Sequence, residues 1–159
     1  MQVSIEIAES SEQYEAGKRI FTEYAKFLGV DLEFQGFAEE MASLSTMYGH
    51  PAGCLLLARR EGQYIGAVGL RELEPGIAEM KRMFVFPEHH GSGAGMALIE
   101  AFIAKAKELG YLSIKLDSVR SLGKALALYR KFGFVETEPY RYNPFPDAVF
   151  MERPVSPRI

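Results

Sequence analysis

The hydrophobic pattern divides the chain into short runs whose period switches repeatedly between two and about 3.6. Residues 2–7 alternate as a strand with Val3, Ile5 and Ile7 on one face. Ser10 and Gln13 have capping-box spacing, and Tyr14, Gly17, Ile20, Phe21, Tyr24, Phe27 and Leu28 follow as an apolar stripe at helical period. Residues 36–48 predict a weaker second helix or helical loop. "GCLLLARR", "EGQ" and "YIGAVGLREL" form a hairpin pattern, two β-rich runs flanking a glycine turn. After "EPG" comes the strand "IAEMKRMFVF", ended by Pro87. A helix over about 92–109 stops at Gly110, a strand "YLSIKLD" follows, and "SLGKALALYRKF" is a helix closed by Gly133. "FVETEPY" and "DAVFMERPV" predict paired strands around the proline-bearing loop "RYNPFP".

The order β-α-α-β-β-β-α-β-α-β-β predicts an α/β (mixed-sheet α+β) fold with helices on both faces. The strand-helix-strand piece at 77–117 is long enough for a right-handed parallel crossover, and the other pairings read as antiparallel. No repeat or linker divides the 159 residues, so a single domain over 1–159 is expected, with about 153–159 as a loose tail.

The most informative stretch is "FVFPEHHGSGAGMAL", residues 84–98. A strand breaks at a proline and enters three glycines at the mouth of a helix. Helix starts offer unpaired N–H groups and a positive dipole end, and glycine lets a bulky anion approach the backbone. A turn that only lets helix pack closely on strand would use glycine too. The phosphate-loop spacing of the Walker motif is absent, and Met96 stands where a dinucleotide fingerprint needs its last glycine.

Composition narrows the classes. A formal charge of -3 gives no overall attraction to nucleic acid or anionic lipid, and no apolar run approaches a membrane span. Cys54 is the only cysteine, so no intrachain disulfide forms, and its apolar setting reads as a buried inert thiol. The N-terminus lacks the layout of a signal peptide, which makes a cytoplasmic location the expectation. His89 and His90 are adjacent, a poor arrangement for one ion, and His50 is isolated, so no metal site is expected.

The glycine turn resembles the acetyl-coenzyme A signature of the GNAT superfamily of N-acetyltransferases: Gln or Arg, two residues, Gly, one residue, then Gly or Ala. Here it runs from His90 through Gly93 to Gly95, with histidine replacing the usual Gln or Arg. "ALALYRKFGF", residues 125–134, is similar to the family's late helix with its tyrosine before Gly-Phe. Element order agrees over nearly the whole chain. The resemblance implies acetyl-CoA as co-substrate. Its adenosine diphosphate end would lie on His90, Gly91, Ser92, Gly93, Ala94, Gly95 and Met96. Its pantetheine arm would run beside Met83, Phe84 and Val85, pairing with the main chain of Met83 and Val85 as an added strand would.

Acetyl transfer to an amine needs a neutral amine, a donor for the developing oxyanion and an acid for the departing thiolate. The N–H near Val85 suits the second task, and the resemblance gives Tyr129 the third; without the motif Tyr129 reads as a core residue. Glu79, on the strand leading into the loop, is the first candidate base. Glu72, a water chain, or a plain solvated Glu/Lys face are the alternatives. Asp117 ends a strand near the same cleft, and Tyr140, Tyr142 and Asn143 lie in a loop that faces the acceptor side in this fold.

The expected function is acetyl-CoA-dependent N-acetylation of a primary amine on a small molecule or peptide. The alternatives are a non-catalytic acyl-CoA-binding or regulatory module of the same fold, or a different nucleotide at the turn. Glu72, Glu74 and Glu79 suggest an acidic approach for a cationic amine. An apolar patch on the edge strands could support a homodimer; nucleic acid and membrane partners are not expected.

Overall fold

A computed structural model describes residues 2–29, 32–33 and 36–156. The elements are β1 (Ser4–Ile7), α1 (Ser11–Leu28), α2 (Phe37–Ala42), α3 (Leu44–Met47), β2 (Cys54–Arg60), β3 (Gln63–Glu74), β4 (Ile77–Val85), α4 (Ala94–Glu108), β5 (Ser113–Val119), α5 (Gly123–Lys131), β6 (Val135–Glu136) and β7 (Ala148–Pro154). One seven-stranded sheet runs β1-β2-β3-β4-β5-β7-β6. Only β4 and β5 pair in parallel, joined through α4; every other pair is antiparallel. This is the mixed α/β order the sequence predicts.

Local chemistry sets the ends of these elements. The Ser10 side chain accepts from Gln13 N–H, and the Gln13 side chain accepts from Ser10 N–H, completing a capping box at the head of α1. Glu61 and Gly62 both have positive φ, 50° and 77°, the two-residue turn whose twist matches a hairpin, and they join β2 to β3.

Side chains alternate across the sheet into two cores. On one face Ile20 and Phe21 of α1, Met41 of α2 and Tyr48 pack on Leu55, Leu57, Ala67 and Phe84. On the other, Leu98, Ile99 and Phe102 of α4 and Leu126 and Tyr129 of α5 pack on Leu56, Val68, Met80, Ile114 and Leu116. Cys54 lies buried in β2, where burial pushes its thiol up to about 11, so it is inert at neutral pH.

The Tyr48 ring lies flat on the backbone at Gly69, where an added Cβ would fall 2.6–2.9 Å from three ring atoms. Tyr48 is fully buried. Gly69→Ala is therefore expected to cost about 1–3 kcal/mol by overpacking. A urea unfolding midpoint equal to wild type would show instead that the ring moves aside freely.

Two expectations need correction. The strand expected over 134–140 is reduced to Val135–Glu136: Thr137 N–H still donates to Phe150 O, and the chain then leaves the sheet as Tyr140 and Arg141 turn inward to Glu79. The tail expected from about 153 begins inside structure: β7 runs to Pro154, and Val155 is buried with its N–H donating to Leu112 O at 2.8 Å. Residues 157–159 lie outside the described residues.

Candidate active site

The functional geometry starts with a fault in the sheet. β4 and β5 pair only at Ile77↔Ser113, Ala78↔Ile114 and Glu79↔Lys115, although β4 continues to Val85 and β5 to Val119. Beyond Glu79 they part. On its other side β4 follows β3 from Lys81↔Gly69 to Phe84↔Ala67, three steps against two, so an extra residue bulges out. Arg82 takes that place at φ 61°. Phe86 N–H donates to Ile65 O, and the alternation of an antiparallel ladder then aims the N–H and carbonyl of Val85 into the parted region. Phe84 turns its ring the other way, against Tyr24 and Phe27 of α1, leaving only its backbone near the gap.

Next to this opening stands the head of α4. Gly91 and Gly93 have φ of 87° and 89°, which glycine alone adopts without strain, and Gly93 is the N-cap residue. The first-turn amides have no intrahelical acceptor; Ala94 N–H reaches the Ser92 hydroxyl at 3.3 Å. A Cβ on Gly91 or Gly93 would meet nothing within 4 Å, so the space over the turn is open. His90 Nε2 lies 3.1 Å from Val85 O and so must carry the hydrogen. Its imidazole ties the loop to the end of β4. This loop and strand end bring Met83, Val85 and residues 90–96 together.

The parted strands expose a slot lined by Tyr24 and Leu28 of α1, Leu32, Lys81 and Arg82 of β4, Asp117, Ser118 and Val119 of β5, and Asn143 and Phe145 from the β6–β7 loop. Its cavity of about 30 Å³ has room for one small polar group. Tyr129 approaches from the opposite core. Tyr24 of the α1 face and Asp117 of β5 both act on its phenol electrostatically. Burial drives the Tyr129 phenol well above its ordinary range, keeping it protonated at physiological pH. Burial likewise pushes Tyr24 up to about 12.

Glu79 and Lys81 are not a solvated strand face: they are 0% and 5% exposed. Arg71 Nε donates to Glu79 Oε1 at 2.9 Å, Tyr140 donates its hydroxyl to Oε2 at 2.8 Å, and Arg141 donates to the same oxygen. Burial favours the protonated carboxyl, but Lys81, Arg141, Arg71 and Tyr140 outweigh it and hold Glu79 below the usual carboxylate range. Burial also pushes the Lys81 ammonium down to about 8, against the pull of Glu79.

A second buried pair fixes the bulge. Arg82 Nε and a terminal nitrogen donate to Glu40 at 3.1 and 2.9 Å, and Tyr48 adds its hydroxyl at 2.8 Å. Of the loop residues, Asn143 Nδ2 donates to Asp117 at 3.2 Å, and Tyr142 is 75% exposed. Glu72 is exposed, on the far side of β3's alternation from Arg71.

Sequence reasoning missed Arg82, Glu40, Arg71 and Arg141 as parts of this region. The available signal was the run Glu79, Lys81, Arg82 inside an otherwise apolar strand, three charges that burial obliges to find partners.

Comparison with known proteins agrees with this geometry. The model of the Acetyltransferase (GNAT) family matches residues 18–134. An uncharacterized N-acetyltransferase of Schizosaccharomyces pombe is 38% identical, covering 97% of this chain and 96% of its own. An IAA acetyltransferase of Azospirillum brasilense is 32% identical over 96% of this chain and 99% of its own. Among solved structures, a GNAT-family acetyltransferase from Staphylococcus aureus superposes with a TM-score of 0.81 at 20% identity, covering 98% and 100% of the two chains. The yncA structure from Salmonella typhimurium with its cofactor acetyl-CoA gives 0.71 at 17%, covering 100% and 97%. The likeness of fold, the matched family model and the named relatives converge: this chain belongs to the GNAT family and is an acetyltransferase.

Proposed function

We propose that the protein moves an acetyl group from acetyl-CoA to a primary amine of a small molecule or peptide, by direct attack across the gap between β4 and β5. The observation that carries this reading is the parting of the two strands beyond Glu79↔Lys115, next to a helix start built from glycines. Acetyl-CoA supplies the activated thioester. The amides at 91–96 suit its pyrophosphate, with Ser92 as a hydroxyl donor, and the Val85 N–H and the main chain of Met83 suit its pantetheine amides. Val85 N–H faces the gap and can polarise an acyl carbonyl there. Tyr129 enters from the α5 side as a protonated phenol and serves as the acid for the departing sulfur.

Glu79 has both oxygens engaged and a depressed proton affinity, which makes it a weak base. We assign it a positioning part: it orients Arg71, Arg141 and Tyr140 around the acceptor side. The amine's proton then leaves by way of water in the slot, beside Asp117.

The cofactor side of the reading is tested at Gly93. Gly93→Ala puts a Cβ on a residue at φ 89°, a strain of about 1–2 kcal/mol. Distortion of the turn is expected to raise KM for acetyl-CoA about tenfold, with little change in kcat. An unchanged KM would place the phosphates elsewhere. The activity itself is tested by thiol release from acetyl-CoA over a panel of amines, with the amide product identified by mass. Binding of acetyl-CoA with no turnover on any amine would overturn the assignment.

A further inference from the structure

Arg82 sits at φ 61°, a conformation that costs an arginine free energy and persists only where the surroundings hold it. What holds it is α2. Phe37 and Glu40 stand three apart on that helix and so share a face. One Glu40 oxygen accepts from Arg82 Nε at 3.1 Å and the other from a terminal nitrogen at 2.9 Å, a planar two-point match. The Phe37 ring centre lies 5.1 Å from the guanidinium carbon, and Tyr48 donates its hydroxyl to Glu40 at 2.8 Å. Glu40 and Arg82 are 2% and 7% exposed, so neither can exchange its partner for water. Burial favours a protonated Glu40, but Arg82 outweighs it and keeps the carboxylate charged.

What the bulge decides is visible in the two cores. Before it, Ala78 and Met80 face the α4 core; after it, Met83 and Val85 do, while Phe84 turns to the α1 core. The set facing α4 changes from even to odd positions at Arg82. A strand that kept step would put Phe84 in the α4 core and turn Val85 N–H towards β3 instead of the gap. The aim of the amide proposed for the developing oxyanion therefore depends on a residue whose own backbone preference opposes it. Resting on the proposed acetyl transfer, we infer that Glu40 is a positioning residue for that reaction: it acts through Arg82, holding the bulge that aims Val85 N–H at the acyl carbonyl. Its grip on the guanidinium does what a glycine would do unaided at that φ.

The test separates the conformation from the contacts that hold it. Glu40→Met/Arg82→Gly and Glu40→Met/Arg82→Ala both lack the ion pair and differ by a single Cβ, so they are expected to fold alike, which thermal melts check. Glycine holds φ 61° without strain and alanine does not. The glycine variant should therefore exceed the alanine variant about tenfold in kcat/KM for acetyl-CoA. A pair that only stabilises the fold would give equal rates, or favour alanine, because glycine weakens a strand; either result would overturn the inference. If the double variants do not fold, Glu40→Asp decides. It keeps the charge and shortens the arm by one carbon, so kcat should fall about tenfold with the melt little changed, and a wild-type kcat would reject the role. Should wild type acetylate no amine, the proposed function fails, and the hold on the bulge is decided by calorimetry with coenzyme A. Val85 turns its N–H to the pantetheine only in the bulged strand, so about tenfold tighter binding by the glycine variant supports it and equal binding rejects it. Wild type that neither acetylates nor binds coenzyme A would remove both.

Discussion

Tyr129→Phe is expected to lower kcat by about 100-fold, the lower range of a positioned general acid, while KM for acetyl-CoA stays within about twofold. The substitution removes one oxygen and keeps the ring. The ring holds its place through edge contact with Phe134, at 5.8 Å between centroids and 60° between planes, and through the core around Leu126. Its hydroxyl makes no hydrogen bond to any described residue. Removing it therefore leaves no partner stranded, and the melting temperature should hardly move. A drop in kcat without a drop in stability separates a chemical part from a packing part. Should kcat remain at the wild-type value, Tyr129 has no place in the proton's path.

Glu79→Gln is the second large effect, and it falls first on stability. Glu79 is fully buried between Arg71 and Arg141, with Tyr140 on the same oxygen as Arg141. A carboxamide accepts through one atom only and turns its NH₂ towards a guanidinium that also only donates. Breaking a buried ion pair in this way costs about 3–5 kcal/mol, and the urea midpoint should fall accordingly. The sign with pH follows from linkage. Glu79 binds its proton less readily when folded than its ordinary 4.5, so its contribution is complete above that value and is lost as pH falls below it. The gap between wild type and Glu79→Gln should thus narrow from pH 7 towards acid. Glu40 is depressed too, with Arg82 overcoming its burial, and remains in both proteins, so both weaken there. Activity distinguishes the parts Glu79 could play. A positioning residue leaves a reduced rate with the wild-type pH profile, whereas a base removed takes the acidic limb of the profile with it.

Much of this architecture is legible in the sequence where the cause is local. The Ser10–Gln13 capping box, the glycine-containing turn at 61–62 and the left-handed glycines at 110 and 133 each fix an element end through their own backbone or near neighbours. The 77–117 crossover follows from its length, and β4 and β5 are indeed the parallel pair. Burial of Glu79 and Lys81 could not be read in this way, because strand alternation gives a face and not what covers it. Their cover comes from Arg141, 62 positions away from Glu79, and from α1 and the β6–β7 loop. β6 likewise ends short of what its local sequence favours, as the chain leaves the sheet towards that contact with Glu79. Arg82 is instructive in the same sense. A positive φ on arginine has no local signature, and it exists because Glu40, 42 residues earlier, holds the guanidinium.

These features give one account, in which the parted strands and the glycine-built head of α4 together place a thioester beside Tyr129. It is tested most directly by a crystal structure of the protein with coenzyme A. The account predicts phosphate oxygens at hydrogen-bond distance from the amides of residues 91–96, main-chain pairing of the pantetheine with Met83 and Val85, and the sulfur beside the Tyr129 hydroxyl. Coenzyme A held elsewhere, or a sulfur with the sheet between it and Tyr129, would contradict it.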